Sequence, residues 1–215
     1  MRTRHAVDLH KGSTGLLVLA LMMIYDNFGL GPWVYLALHG GYGLLWVSKS
    51  YVFPDPAWEE EIPVWKGIFY FGVLLTYWVA PWLLVSSRVE PPYWLVSLAV
   101  LTNIVGVFLH FVSDAQKYYV LKVRRGLITD GFFARSRNPN YLGEILIYAS
   151  FSMLTQSWIP FVIQGVWIVG VFVPNMMKKE RSMSRYPTWA AYTAKTGMLF
   201  PALFGGKAPN DVHPT

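Results

Sequence analysis

The stretch RSRNPNYLGEILIY, residues Arg135–Tyr148, joins a basic polar segment to a hydrophobic run. Proline at position 139 suits the first turn of a helix, where its missing N–H costs nothing. Asn138, directly before it, is a residue type that caps helix N-termini. The pattern therefore predicts that a helix begins here. Its positive N-terminal end would lie beside Arg137, which favours an anion at this junction.

Polar side chains inside the hydrophobic runs mark two predicted helix faces. On the helix that begins at Pro139, four such residues are each spaced by four: Asn140, Glu144, Tyr148 and Ser152. On the preceding helix, four are spaced by seven, four and three: Asn103, His110, Asp114 and Lys117. Residues at these spacings share one side of a helix. Carboxylates within membrane spans are rare and usually point into a bundle or a wet cavity. We therefore expect Asp114 and Glu144 to face a membrane-embedded site, although each could instead be a structural ion pair with a nearby basic residue.

The composition predicts an integral membrane protein. Of 215 residues, 54% are hydrophobic and 17% aromatic, more than in ordinary soluble domains. The apolar residues fall in blocks long enough to span a bilayer. The basic N-terminus precedes an apolar run without a clear cleavage site, so we expect a retained first helix. Six spans are predicted: Thr14–Phe28, Pro32–Tyr51, Val64–Ser86, Tyr93–Tyr118, Asn140–Thr155 and Trp158–Met176.

The charges predict how these spans are oriented. With a cytoplasmic N-terminus, Arg88 is the one residue of the 18 Lys and Arg that lies on the outside. The predicted fold class is thus all-α, a polytopic helical membrane bundle of about six transmembrane helices with both termini cytoplasmic. We expect one transmembrane domain over 1–215, with N-terminal helices on the substrate side (1–92), a cofactor-binding core (93–201) and a polar tail (202–215).

Several classes of site find no support in the sequence. The chain has no cysteine, so disulfides and Cys-based metal sites are excluded. Its five histidines show no metal-ligand spacing, so we predict no metal. The net charge of +6 follows the predicted topology, so we also predict no nucleic acid partner. His39, beside three glycines, is interpreted as a hydrogen-bonded packing residue at a close helix contact.

Two basic segments flank the last predicted hairpin on its cytoplasmic side, at 117–137 and 178–195. They are compatible with anchoring to anionic lipid and with a pocket for an anionic cofactor. The run from Ser113 to Glu144 resembles the C-terminal half of membrane sterol reductases and steroid 5α-reductases, and looks closest to small bacterial members of that superfamily. The resemblance rests on Asp114, Gln116 and Lys117, the turn Gly126–Gly131, Asn138–Glu144, and a C-terminal pattern that includes Glu180-Arg181, Trp189, Tyr192 and Pro201.

This resemblance implies an NADPH-dependent reductase that transfers a hydride to a carbon–carbon double bond in a steroid-, sterol- or prenoid-like substrate. It implies a cofactor site facing the cytoplasm, in a bacterial inner membrane or the endoplasmic reticulum. The implied cofactor-binding residues are Asp114, Gln116, Lys117, Arg124, Arg137, Asn138, Asn140, Tyr141, Glu144, Lys179, Arg181 and Tyr192. The catalytic acid is not assigned, because the N-terminal half shows no clear counterpart of the acid–tyrosine pair of the larger reductases.

Two alternatives stay open at this point. Isoprenylcysteine carboxyl methyltransferases and phospholipid methyltransferases resemble the same helical core, and they use S-adenosylmethionine. Their usual Arg-His-Pro and Glu-Glu elements stand here as Arg137-Asn138-Pro139 and Lys179-Glu180, which favours the reductase. The other alternative is a membrane protein without catalytic activity, such as a lipid-binding or assembly factor. In every case the expected partners are the lipid bilayer and a hydrophobic small molecule.

Overall fold

The computed structural model describes residues 1–202 and is all-helical over that range. The predicted polar tail beyond residue 202 lies outside the described residues. The helices are α1 (Thr3–Ile24), α2 (Leu30–Tyr35), α3 (Gly41–Val52), α4 (Val64–Leu74), α5 (Val79–Ser87), α6 (Tyr93–Val123), α7 (Pro139–Leu154), α8 (Ile159–Trp167), α9 (Val173–Met183) and α10 (Trp189–Thr193). A polytopic helical bundle, as predicted, is confirmed.

Four helical segments are long and apolar enough to cross a membrane: Thr3–Ile24, Val64–Ser87, Tyr93–Val123 and Ile159–Met183. The second combines α4 and α5, and the fourth combines α8 and α9. The remaining two predicted spans correspond to the helical stretch 30–52 and to α7. Short π-helical turns at Leu36–Gly40 and Ile168–Phe172 interrupt two of these stretches without ending them.

The predicted ends of three spans differ from the helices by several residues. The first helix begins at Thr3 rather than Thr14, α6 ends at Val123 rather than Tyr118, and α9 ends at Met183 rather than Met176. In the first case, polar residues that stop the hydrophobic run in the sequence are buried against other helices, among them His10 and Lys11. Hydropathy places such residues outside a span, whereas the bundle supplies partners for them.

Helices α6 and α7 pack closely because glycines face each other where they cross. A Cβ on Gly106 would lie 2.8 Å from the Gly143 carbonyl oxygen, and one on Gly143 would lie 2.5 Å from the His110 backbone nitrogen. Small residues at such a crossing let two backbones approach. The contact fixes the two helices that carry Asp114 and Glu144 against each other.

Glycine also allows close helix packing in the N-terminal half, as we predicted from the glycines beside His39. A Cβ on Gly43 would lie 2.1 Å from the Lys11 carbonyl oxygen, so α3 contacts the backbone of α1 directly. His39 is buried, its Nδ1 lies 2.9 Å from the Tyr35 hydroxyl, and its ring stacks on Phe151 at 4.1 Å. Its interpretation as a hydrogen-bonded packing residue is confirmed.

The loops gather at two ends of the bundle. At one end, the Met1 amino group donates to the Ile62 carbonyl at 2.9 Å, which ties the N-terminus to the loop 53–63. The loop 124–138 lies at this end too, and its Arg137 N–H donates to the Gly197 carbonyl at 2.9 Å. We call this the basic end. At the opposite end, Asn27 donates to the Val85 carbonyl at 2.8 Å and joins the turn after α1 to the last turn of α5.

Candidate functional site

A cleft of about 420 Å³ opens at the basic end, between the end of α6, the loop 124–138, α9 and α10. Five cationic side chains line it: Lys117, Arg125, Arg137, Lys179 and Arg185. Among its described lining residues there is no carboxylate. We call it the basic cleft. An anion with several charges is the ligand class that such a lining favours.

Arg137 stands at the back of the basic cleft, and its guanidinium is held on three sides. Nε lies 2.9 and 3.0 Å from the two carboxylate oxygens of Glu180 on α9. One terminal nitrogen donates to both the carbonyl and the hydroxyl of Thr196, and the Trp189 ring lies 5.6 Å from the guanidinium carbon. Arg137 therefore joins α7, α9 and the C-terminal segment, and its positive charge is already paired.

Lys179 and Asn138 form a second joint beside this pair. The Lys179 ammonium donates to the Arg137 carbonyl at 2.9 Å and to Asn138 Oδ1 at 3.1 Å. Asn138 Nδ2 donates to the Met198 carbonyl at 2.8 Å. The prediction that the Asn138 side chain caps α7 was wrong: it occupies the N-cap position but makes no capping hydrogen bond. Its amide is used instead to hold the C-terminal segment.

Gln116 and Tyr192 shape the walls of the cleft through the loop 124–138. The Gln116 amide donates to the Asp130 carbonyl at 3.0 Å and accepts from the Phe132 N–H at 3.0 Å. The Tyr192 hydroxyl donates to the Phe133 carbonyl at 2.8 Å, and burial raises its pKa. Gly131 has φ +56°, and a Cβ there would lie 2.6 Å from the Gln116 amide nitrogen. The loop thus requires glycine at this position.

A smaller cavity of about 200 Å³ adjoins the basic cleft, and Lys117 and Leu121 line both. Its lining includes Asp114, whose Oδ2 pairs with the Lys49 ammonium of α3. Asp114 Oδ1 is buried and has no hydrogen-bond partner within residues 1–202. It is an acceptor available to a ligand that carries an N–H or O–H group.

Lys117 lines both cavities, and its ammonium forms an ion pair with Asp55 at 2.7 Å. Although burial alone would raise the pKa of the Asp55 carboxyl, the Lys117 ammonium and a backbone N–H hold it below its usual value of 3.8. The loop 53–63 is thereby fastened across the end of α6. The open alternative that Asp114 pairs with Lys117 is not what the structure shows, since each has a different partner.

Glu144 lies deeper in the bundle, and its partners come from the N-terminal half. Its Oε1 lies 3.5 Å from the Lys11 ammonium and 3.5 Å from the Tyr42 hydroxyl. Lys11 also donates to the Tyr148 hydroxyl at 2.7 Å. The open alternative of a pair with a loop arginine is therefore not observed. Tyr42 and Glu144 together form an acid–tyrosine pair that the sequence did not reveal.

The remaining predicted residues lie outside the lining of the basic cleft. Asn140 accepts from His110 Nδ1 through its backbone carbonyl at 3.1 Å, and its buried side-chain Oδ1 finds no partner in the described chain. Tyr141 packs 5.2 Å from Phe172. Arg124 pairs with Asp130 on the surface, and Arg181 is exposed. Of the twelve predicted cofactor-binding residues, four line the cleft: Lys117, Arg137, Lys179 and Tyr192.

Sequence reasoning missed two buried lysines. Lys11 is 3% exposed and Lys49 is 5% exposed, and each meets a carboxylate of α6 or α7. Lys49 lay inside a predicted span, so the rule that pointed to Asp114 could have found it as well. Lys11 gave no such signal, because it precedes the predicted first span. No cluster of metal-ligating side chains occurs in residues 1–202.

Comparison with known proteins places the chain in a family. The model of the family described as "Protein of unknown function (DUF1295)" matches residues 55–196. The chain belongs to the DUF1295 family. The match begins at Asp55 and ends at Thr196, so it spans the basic cleft and excludes α1 to α3. The family description assigns no activity.

One relative is an uncharacterized protein of Schizosaccharomyces pombe, 36% identical over 102 residues. The match covers 44% of this chain and 29% of that protein, so the chain corresponds to less than a third of its relative's length. No solved structure matches the chain.

Proposed function

We propose that this membrane-embedded chain is a reductase that binds NADPH in the basic cleft and reduces a carbon–carbon double bond of a hydrophobic substrate. The observation that carries the proposal is the lining of the cleft by five cationic side chains and no described carboxylate. NADPH carries three phosphates, whereas S-adenosylmethionine carries a sulfonium and none. The lining therefore favours the former, in agreement with the sequence resemblance.

The residues present fit such a cofactor in two respects. Arg125 and Arg185 line the cleft without a described ion-pair partner, so they are available for phosphates. The unpartnered Asp114 Oδ1 in the adjoining cavity suits an N–H donor, such as a carboxamide. Arg137 and Lys179 are already bonded to protein groups, so we assign them chiefly to holding the walls.

When bound, NADPH supplies a hydride. The protein's task is to orient cofactor and substrate and to exclude water. Asn140, Tyr141 and Glu144 lie on α7 where the resemblance expects contacts to the nicotinamide end. Lys117 lines both the basic cleft and the adjoining cavity, and Asp114 lines the adjoining cavity. A hydrophobic substrate would reach this region from the bilayer.

The test is thermal unfolding of the detergent-purified chain with NADPH, NADH and S-adenosylhomocysteine in parallel. A ligand at 100 times its Kd stabilises the native state by about 2.7 kcal/mol. For a chain of this size the midpoint then rises by about 5–10 °C. We expect that rise with NADPH and a smaller one with NADH. Stabilisation by S-adenosylhomocysteine but not by NADPH would support the methyltransferase and overturn the proposal.

A matched pair of arginine variants locates the site. Arg185→Gln removes an exposed cation that lines the cleft, and it should weaken NADPH binding about tenfold. Arg135→Gln removes an exposed cation that does not line the cleft, and it should leave binding unchanged. Equal effects of the two substitutions would show that only the overall positive charge matters.

A further inference from the structure

The Lys11 ammonium lies inside the bundle, and all three of its N–H groups have partners. It donates to Tyr42 at 2.9 Å, to Tyr148 at 2.7 Å and to Glu144 at 3.5 Å. The rings of Tyr42, Trp46 and Tyr148 lie within 4.3–5.0 Å of it. Burying an ammonium is costly unless it is paired and hydrogen-bonded. So complete a shell indicates a cation held in one place.

The hydroxyl hydrogens of Tyr42 and Tyr148 differ in whether they have an acceptor. Both hydroxyl oxygens accept from Lys11, and the Tyr42 hydroxyl donates to Glu144. The Tyr148 hydroxyl finds no acceptor for its own hydrogen within residues 1–202. A neighbouring ammonium stabilises the phenolate that is left when a phenol loses its proton. Tyr148 is therefore the hydroxyl of this cluster that has a proton free to donate.

Tyr148 also stands in a suitable place. It follows Glu144 by four residues on α7, so the two side chains lie on one face about one turn apart. Tyr148 borders a pocket of about 10 Å³, room for no more than one water molecule, together with Ser152 and Gln164. Its ring is fixed by stacking on Tyr77 at 4.0 Å. An acid there would lie one helical turn from the group that the resemblance places at the cofactor.

We propose, resting on the proposed function, that Tyr148 is the catalytic acid of the reduction and that Lys11 is its positioning residue. As hydride adds to the β-carbon of an enone, the electron pair of the double bond moves toward the carbonyl. The carbonyl oxygen takes the Tyr148 proton and becomes an enol, leaving a phenolate beside Lys11. The enol rearranges to the ketone and Tyr148 regains a proton from water, so one hydride and one proton are added in total.

The first experiment measures turnover and cofactor binding separately, in the full-length chain. Progesterone, a steroid enone, and geranial, a prenoid enal, serve as probes, and loss of NADPH absorbance follows the reaction. Tyr148→Phe should lower kcat by about 10²–10⁴-fold, the usual contribution of a general acid. Lys11→Met, an independent second variant, should lower kcat with little change in KM. Tyr148→Phe should leave the rise in unfolding midpoint with NADPH unchanged.

A second readout requires no turnover. Equilenin, a fluorescent steroid phenol, resembles the enol, and its oxygen can accept the Tyr148 hydrogen. With NADP⁺ present, Tyr148→Phe should weaken its binding about three- to tenfold, the worth of one hydrogen bond. Tyr25→Phe is the control, since it also removes a tyrosine hydroxyl, the one that accepts from Trp82 Nε1 at 3.0 Å at the opposite end of the bundle. It should leave equilenin affinity and turnover within about twofold of wild type.

The outcomes separate the two proposals. If NADPH stabilises the protein and Tyr148→Phe turns over like wild type, Tyr148 is not the acid, while the cofactor assignment stands. If NADPH stabilises the wild type but neither probe is reduced, the assignment of Tyr148 as an enone proton donor is overturned. If NADPH neither binds nor is oxidised, the proposed function fails, and this inference fails with it.

Discussion

The Arg137–Glu180 pair offers a quantitative test of how the basic cleft is built. The two side chains are 10% and 15% exposed, and two guanidinium nitrogens lie 2.9–3.0 Å from the carboxylate. Glu180→Gln keeps the shape of the side chain but removes the negative charge, so the guanidinium becomes a buried cation without its counterion. Breaking a buried pair from one side costs about 3–5 kcal/mol. For a chain of this size, the unfolding midpoint should fall by about 6–20 °C.

A double-mutant cycle separates the pair from its surroundings. The double variant Arg137→Met/Glu180→Met removes both charges. Its loss of unfolding free energy should be clearly smaller than the sum of the losses caused by Arg137→Met alone and Glu180→Met alone. Each variant is measured by thermal unfolding in the same detergent, without ligand. Strictly additive effects would mean that Arg137 and Glu180 do not interact, and the proposed joint of α7, α9 and the C-terminal segment would be refuted.

Three further predictions concern the other contacts that position the site. Gly143→Ala places a methyl group 2.5 Å from the His110 backbone nitrogen and should lower the free energy of unfolding by about 1–3 kcal/mol. Gly165→Ala, whose added methyl group meets nothing within 4 Å, is the control, and equal unfolding midpoints for the two variants would refute the close crossing. Lys49→Met leaves Asp114 buried without its counterion and should cost about 3–5 kcal/mol, with recovery on adding Asp114→Asn; failure to recover would refute the pair. Because the pKa of Asp55 is lowered in the folded chain, the stabilising effect of its carboxylate is present above pH 3.8 and is lost as pH falls through the folded pKa. Asp55→Asn should therefore be less stable than wild type at pH 7, and the difference should shrink as pH falls below 3.8; a constant difference would refute the effect of the ion pair.

Hydropathy was sufficient to predict an all-helical membrane bundle, because crossing a bilayer requires long apolar helices. Pro139 was sufficient to predict the start of α7 within one residue, because the first turn of a helix does not need the N–H group that proline lacks. The start of α1 was missed, because hydropathy cannot recognise a buried ammonium that neighbouring helices will satisfy. Thr3, His10 and Lys11 are all buried, and each looks like solvent-facing sequence.

The candidate site was predictable where helical spacing carries the information. The face with Glu144 and Tyr148 was read from intervals of four, and both side chains do meet at Lys11. Spacing gave no indication of partners that are distant in the sequence. Lys11 lies 133 positions from Glu144, and Lys49 lies 65 from Asp114. Such pairs depend on how helices associate, and one sequence contains no direct record of that.

The roles of the cationic residues also required the structure. Arg125 and Arg185 line the basic cleft but were not among the predicted cofactor-binding residues, while Arg181 was predicted and does not line it. All three look alike as exposed arginines near helix ends. Which of them faces the cleft depends on the local geometry of each segment: Arg125 lies in the loop 124–138, Arg181 lies within α9 and Arg185 lies beyond its end. That geometry follows from contacts rather than from residue type.

The binding of a phosphate-bearing dinucleotide in the basic cleft can be measured by equilibrium titration of the purified chain with NADPH. We predict saturable binding at one site per chain that weakens as salt rises, because charge pairing contributes to it. The Arg185→Gln variant should bind about tenfold more weakly, and Arg135→Gln should bind as wild type does. Saturable binding of S-adenosylhomocysteine without any binding of NADPH would contradict the proposed cofactor.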